Sequence, residues 1–184
     1  MKALVVISNG SEEIETVTII DLLVRAGITV TTATISETLT NTCSRGVKII
    51  ADKYLRECTE QYDVIALPGG MGGAKAFAAH AELMQMCKDQ LAAKRYVAAI
   101  CATPAVALQP NGVIGNRKVT CYPGCNGPLV NREAVDQRVV VDDYLITSMS
   151  PGSTMEFTLE IIRQLKGEDV MKEVEKGLVM NFVY

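Results

Sequence analysis

The stretch VAAICATPAVAL, residues 97–108, opens as a strand and closes as a helix, with Cys101 at the join. Residues 97–100 form an apolar run of the kind expected in a strand buried on both faces. Small residues, Ala99 and Ala102, leave room for a sharp turn, and Pro110 ends the following helix near Gln109. A thiol at such a turn is presented to something rather than packed. Strand, nucleophile, helix is the nucleophile-elbow arrangement, in which a strained turn lifts the reactive atom above the sheet. The helix N-terminus is expected to favour thiolate over thiol, lowering the cysteine pKa from about 8.5. The glycines usual around such an elbow are replaced here by Ala99 and Thr103.

Outward from this stretch, strand and helix alternate. KALVVIS (2–8), ITVTTATI (28–35) and YDVIALPGG (62–70) read as strands, and TCSRGVKIIAD (42–52) as a short strand pair. RKVTCYPG (117–124) and RVVVDDYLITS (138–148) read as later strands. Helices are expected from an N-cap at Ser11 to about Ala26, stopping at Gly27, over 80–94, and in 153–167 and 168–180. This alternation predicts one α/β domain over 1–184, a mostly parallel sheet with helices on both faces.

Bulk composition narrows the function. Of 184 residues, 48% are apolar and 21% charged, which supports a large core and argues against disorder. The net charge of −3, with scattered basic residues, excludes a nucleic-acid footprint and an anionic-membrane partner. The N-terminal apolar run is too short for a secretion signal, and no stretch approaches the ~20 residues of a membrane span. A soluble, cytoplasmic protein is expected, with its six cysteines as free thiols. The C-x₃-C pair Cys121 and Cys125 and the lone His80 do not make a zinc pattern, so no metal is expected. His80 is expected to cap or decorate a surface helix.

In open parallel sheets ligands bind at the carboxyl ends of strands. Three strand exits here carry chemistry: SNGSEEIETV (8–17), LPGGMGGA (67–74) and ICATPA (100–105). In the first, Glu15 shares a helix face with Ile19, Leu22, Leu23 and Ala26, so it is a carboxylate at the mouth of an apolar stripe. Burial there would raise its pKa and allow it to donate to a thiolate or to move a proton. The glycines of the second exit allow backbone N–H groups to approach a ligand and serve as oxyanion donors, although they fit neither phosphate-loop pattern. The third supplies the Cys101 thiol.

SEEIETV, CSRGV, YDVIALPGG, AAICATPA and SPGSTMEF together resemble the ThiJ/PfpI family, in its Parkinsonism-associated deglycase branch, across essentially the whole chain. The resemblance implies a flavodoxin-like three-layer α/β sandwich of the class I glutamine amidotransferase type, and a homodimer. It implies that Cys101 is the reactive, easily oxidised cysteine and Glu15 its carboxyl partner. Gly70 and Ala102 would supply the N–H groups of an anion pocket. Cys43 and Arg45 would form a second cysteine region near the dimer interface. No cofactor is implied.

The activities implied are a cysteine-dependent glyoxalase or deglycase acting on small carbonyls such as methylglyoxal, or alternatively redox sensing and chaperoning through Cys101 oxidation. Departures from the pattern bear on this. Tyr122 stands where many relatives have a histidine, Ala102 where the peptidase-like branch has one, and Met149–Ser150 where Arg-Gly is common. Without a histidine near the three exits, a peptidase or amidase lacks its base.

Overall fold

The computed structural model describes residues 1–180. Among the described residues nine strands form: β1 (Lys2–Ile7), β2 (Thr29–Thr34), β3 (Thr40–Thr42), β4 (Lys48–Ile50), β5 (Lys53–Tyr54), β6 (Val64–Leu67), β7 (Tyr96–Ile100), β8 (Val139–Asp142) and β9 (Leu145–Ser148). Five helices join them: α1 (Glu13–Arg25), α2 (Met71–Ala79), α3 (Ala81–Ala92), α4 (Thr154–Lys166) and α5 (Glu168–Leu178).

Seven strands make one sheet in the order β5-β2-β1-β6-β7-β9-β8, parallel except for the β8–β9 hairpin. β3 and β4 pair antiparallel as a separate hairpin. Strand alternation splits the core in two. Ala3, Val5 and Ile7 face Ile19, Leu23, Phe157 and Ile161 of α1 and α4. Leu4, Val6 and Leu67 face Phe77, Leu83 and Leu108 on the other side. Helices therefore cover both faces, giving the three-layer flavodoxin-like sandwich. The chain order reverses about β1, which has β2 on one side and β6 on the other, so the carboxyl ends of β1, β6 and β7 lie side by side.

Four local expectations are corrected. Glu12, not Ser11, caps α1: its carboxylate accepts the Glu15 N–H at 2.8 Å, while Ser11 Oγ accepts the Ser8 N–H instead. Residues 117–124 form no strand, because their N–H groups go to scattered partners rather than to a neighbouring strand: Lys118 N–H to Asp142 Oδ2, Thr120 N–H to Thr147 Oγ1 and Tyr122 N–H to Cys101 O. The glycine-rich turn after β6 leads directly into α2, a helix whose first turn has poor intrinsic propensity. The helix after Cys101 is one five-residue π turn, residues 104–108, in which the Gln109 N–H reaches Pro104 O.

Candidate active site

β7 ends at Ile100, and the next residue, Cys101, has φ +65°, a left-handed conformation costly for a residue with a side chain. The surroundings enforce it. The Cys101 N–H donates to Ser148 O at 3.0 Å, and its carbonyl accepts the Tyr122 N–H at 2.8 Å. Thr103 Oγ1 donates to Pro68 O at 2.7 Å and ties the elbow to the loop after β6.

That loop needs glycine. A Cβ on Gly69 would collide with Cys101 Cβ and lie 2.8 Å from Glu15 Oε2 and 3.0 Å from Sγ. Gly70 has φ +81°, and a Cβ there would meet Gly10 O and the Glu12 nitrogen. The absence of both side chains lets the backbone close over the sulfur, where the N–H groups of Gly70 and Ala102 favour the thiolate.

Glu15 enters from α1 and is fully buried. Its Oε2 accepts the Gly69 N–H at 2.6 Å, and its carboxyl is in hydrogen-bonding reach of the Cys101 thiol. Oε1 is buried without a hydrogen-bond partner. An acceptor with no donor facing it is where a carboxyl proton belongs. Burial raises the carboxyl to about 7, the Glu12 charge adds to the rise, and the contacts with Gly69 and Cys101 oppose it.

The thiol departs from expectation. Burial, and then the Glu15 charge, push Cys101 up to about 12, against the pull of the two N–H donors. A single π turn supplies little helix field, and desolvation outweighs it. The pair therefore exchanges one proton, and Glu15 is the group that changes charge near neutrality.

Above the sulfur lies a cavity of about 330 Å³, lined by Arg45, Gly70, Cys101, Ala102, Tyr122 and Cys125, with Glu12, Ser44, Met71 and Pro151 completing the wall. Glu13 positions Arg45: its carboxylate accepts Ser44 Oγ–H and the Arg45 N–H, both at 2.8 Å. Cys43 does not reach the cavity. It is buried at the start of the turn that joins β3 to β4, and desolvation followed by the charges of Glu13 and Glu12 pushes its thiol up to about 11. His80 lines a separate cavity with Ser8 and Asn9 and caps α3, its Nδ1 accepting the Leu83 N–H. Among the described residues no three His, Cys, Asp or Glu side chains converge as a metal site, and no helix is long and apolar enough to cross a membrane.

Residues 1–164 match the DJ-1/PfpI family. The chain belongs to the DJ-1/PfpI family. It is 38% identical over 183 residues to protein dj-1beta of Drosophila melanogaster, covering 98% of this chain and 97% of that protein. The crystal structure of that Drosophila protein matches at a TM-score of 0.93, over 98% of each chain. Protein DJ-1 homolog B of Arabidopsis thaliana is 41% identical over 179 residues; the match takes in 97% of this chain and 40% of that protein, so the chain spans less than half its length. A Caenorhabditis elegans protein named glutathione-independent glyoxalase DJR-1.2 is 33% identical over 173 residues, covering 92% and 91% of the two chains.

Within this DJ-1/PfpI fold, sequence reasoning gave Glu12 and Glu13 only to the helix end and Cys125 only to a pair with Cys121, and placed none of the three at the cavity. A first-turn glutamate carries no sign of the loop it will hold. Cys125 lies three residues from Tyr122, and that closeness was the available cue.

Proposed function

We propose that this DJ-1/PfpI chain is a cofactor-independent glyoxalase or deglycase that converts small α-oxoaldehydes such as methylglyoxal, or their adducts, to hydroxy acids. The observation that carries the reading is a buried carboxyl poised near neutrality beside a thiol on the floor of an open cavity. The glyoxalase name of the nematode relative agrees with it.

In the proposed sequence, the Glu15 carboxylate takes the thiol proton as Cys101 Sγ adds to the aldehyde carbon. The oxygen thereby charged is held by the N–H groups of Gly70 and Ala102, then protonated to give a hemithioacetal. Glu15 removes the proton from the former aldehyde carbon, forming an enediol, and reprotonation at the neighbouring carbon leaves a 2-hydroxy thioester. Water cleaves the thioester, releasing the hydroxy acid and restoring the thiol, so the net change is the addition of one water. Tyr122 and Arg45 border the entrance and select what enters.

The reading extends to a homodimer, since Ile14, Val17, Val47 and Ile50 leave apolar side chains exposed on α1 and the β3–β4 hairpin.

Cys101→Ser is expected to abolish lactate formation from methylglyoxal in glutathione-free buffer. Undiminished conversion by that variant overturns the mechanism.

A further inference from the structure

The cavity holds a second sulfur that the carbonyl chemistry does not use. Cys125 is half-buried, lines the same cavity as Cys101, and packs against the apolar cluster to which Cys101 belongs. Its backbone is coupled to the elbow: the Tyr122 N–H donates to Cys101 O at 2.8 Å, and the Cys125 N–H donates to Tyr122 O at 2.9 Å. Between the two cysteines the chain is irregular, with Gly124 at φ +89°, so Cys125 sits on a turn outside any strand ladder. The other cysteines do not share this position. Cys43, Cys87 and Cys121 are buried and line no part of this cavity, and Cys58 packs against the core on the opposite face of the sheet.

We infer that Cys101 and Cys125 form a peroxide-responsive redox pair, with Cys125 as the resolving thiol that captures an oxidised Cys101 as a disulfide. In the first step the Cys101 thiolate attacks a peroxide oxygen; the O–O bond breaks, Cys101 becomes sulfenic acid, and the peroxide leaves as water or an alcohol after protonation. In the second, Cys125 attacks the sulfenic sulfur, the S–O bond breaks, and hydroxide leaves with a proton as water. Glu15, beside the sulfur, is placed to supply that proton. The peroxide takes up two electrons, one from each thiol, and an external dithiol returns them.

The disulfide has a definite consequence. A sulfenic acid left uncaptured proceeds to sulfinate, which dithiols do not reverse. Capture by Cys125 keeps oxidation reversible and closes the cavity to carbonyl substrates while it lasts.

The test is peptide mapping by mass spectrometry of the native protein, without reduction, after graded hydrogen peroxide, beside Cys125→Ser and Cys121→Ser. The inference expects a cross-linked peptide joining Cys101 to Cys125 in the wild type, lost on adding dithiothreitol and retained in Cys121→Ser. In Cys125→Ser the cross-link is lost and Cys101 gains two oxygens instead. Wild-type protein whose Cys101 passes straight to sulfinate overturns it, as does a cross-link between Cys121 and Cys125. The wild-type map alone decides if a variant fails to fold. Methylglyoxal turnover of the reduced wild type, followed in parallel, reports separately on the glyoxalase reading.

Discussion

Glu15 sets the pH behaviour of both chemistry and stability. Its carboxyl is raised from 4.5 to about 7, chiefly by burial. Between those values the folded protein holds a proton that the unfolded chain has released. Folding stability is therefore fully supported below about pH 4.5 and falls as pH rises towards about 7, by about 3 kcal/mol. Glu15→Gln removes this dependence, and urea midpoints across the same range should show a flatter slope for the variant. Iodoacetamide labelling of Cys101 gives the chemical counterpart. In the wild type its rate should rise with pH through an inflection near 7, as the pair loses its first proton, and Glu15→Gln should lack that inflection. An unchanged inflection would mean that some other group gates the thiol. The residue types and their convergence on three strand exits were legible in the sequence. The thiol's upward shift was not, because it comes from burial and from the Glu15 charge, both set by the fold and not by linear spacing.

At the level of elements, the site is held by short tethers between loops rather than by any one helix. Glu13 of α1 anchors residues 44–47, also accepting the Val47 N–H at 3.4 Å, and so fixes Arg45 at the cavity edge. Glu13→Ala releases these contacts. It should cost about 1–2 kcal/mol in thermal or urea unfolding and raise KM for methylglyoxal more than it lowers kcat, because the bonds at the sulfur stay intact. A fall in kcat alone would instead place Glu13 in the chemistry. The elements divide by how they announce themselves. β1 and β6 are buried on both faces, so their apolar runs are unambiguous. α2 begins with Gly72 and Gly73, where a Cβ would press on Gly10 and Ser11 of the loop between β1 and α1, and these glycines hide a helix behind a turn signal. Residues 117–124 carry strand-like side chains, yet the Lys118 and Thr120 N–H groups go to the Asp142 and Thr147 side chains, more than twenty residues away, rather than to a strand. Ser11 is the favoured cap by type, but the Ser8 N–H takes its hydroxyl, and the role falls to Glu12.

Across the whole molecule, one sheet separates two apolar clusters, and the site sits at the edge where they meet. Cys101 and Ala102 belong to the cluster under α1 and α4, whereas Cys121 and Leu108 belong to the other. If the sheet is a rigid partition, damage on one side should not be felt on the other. Ile65 faces the α2–α3 side and Ile161 the α1–α4 side, and both are almost fully buried. Each Ile→Val substitution should cost about 1 kcal/mol. Because the two sites lie in different layers with no shared cluster, the double variant should lose the sum of the single losses to within ~0.5 kcal/mol. The measurement is urea unfolding of the two single variants and the double, with the denaturant slope checked for constancy. A coupling well above that margin would show the sheet transmitting repacking between faces. In that case the geometry at Cys101, which depends on β1, β6 and β7 keeping their spacing, would respond to core changes on either side.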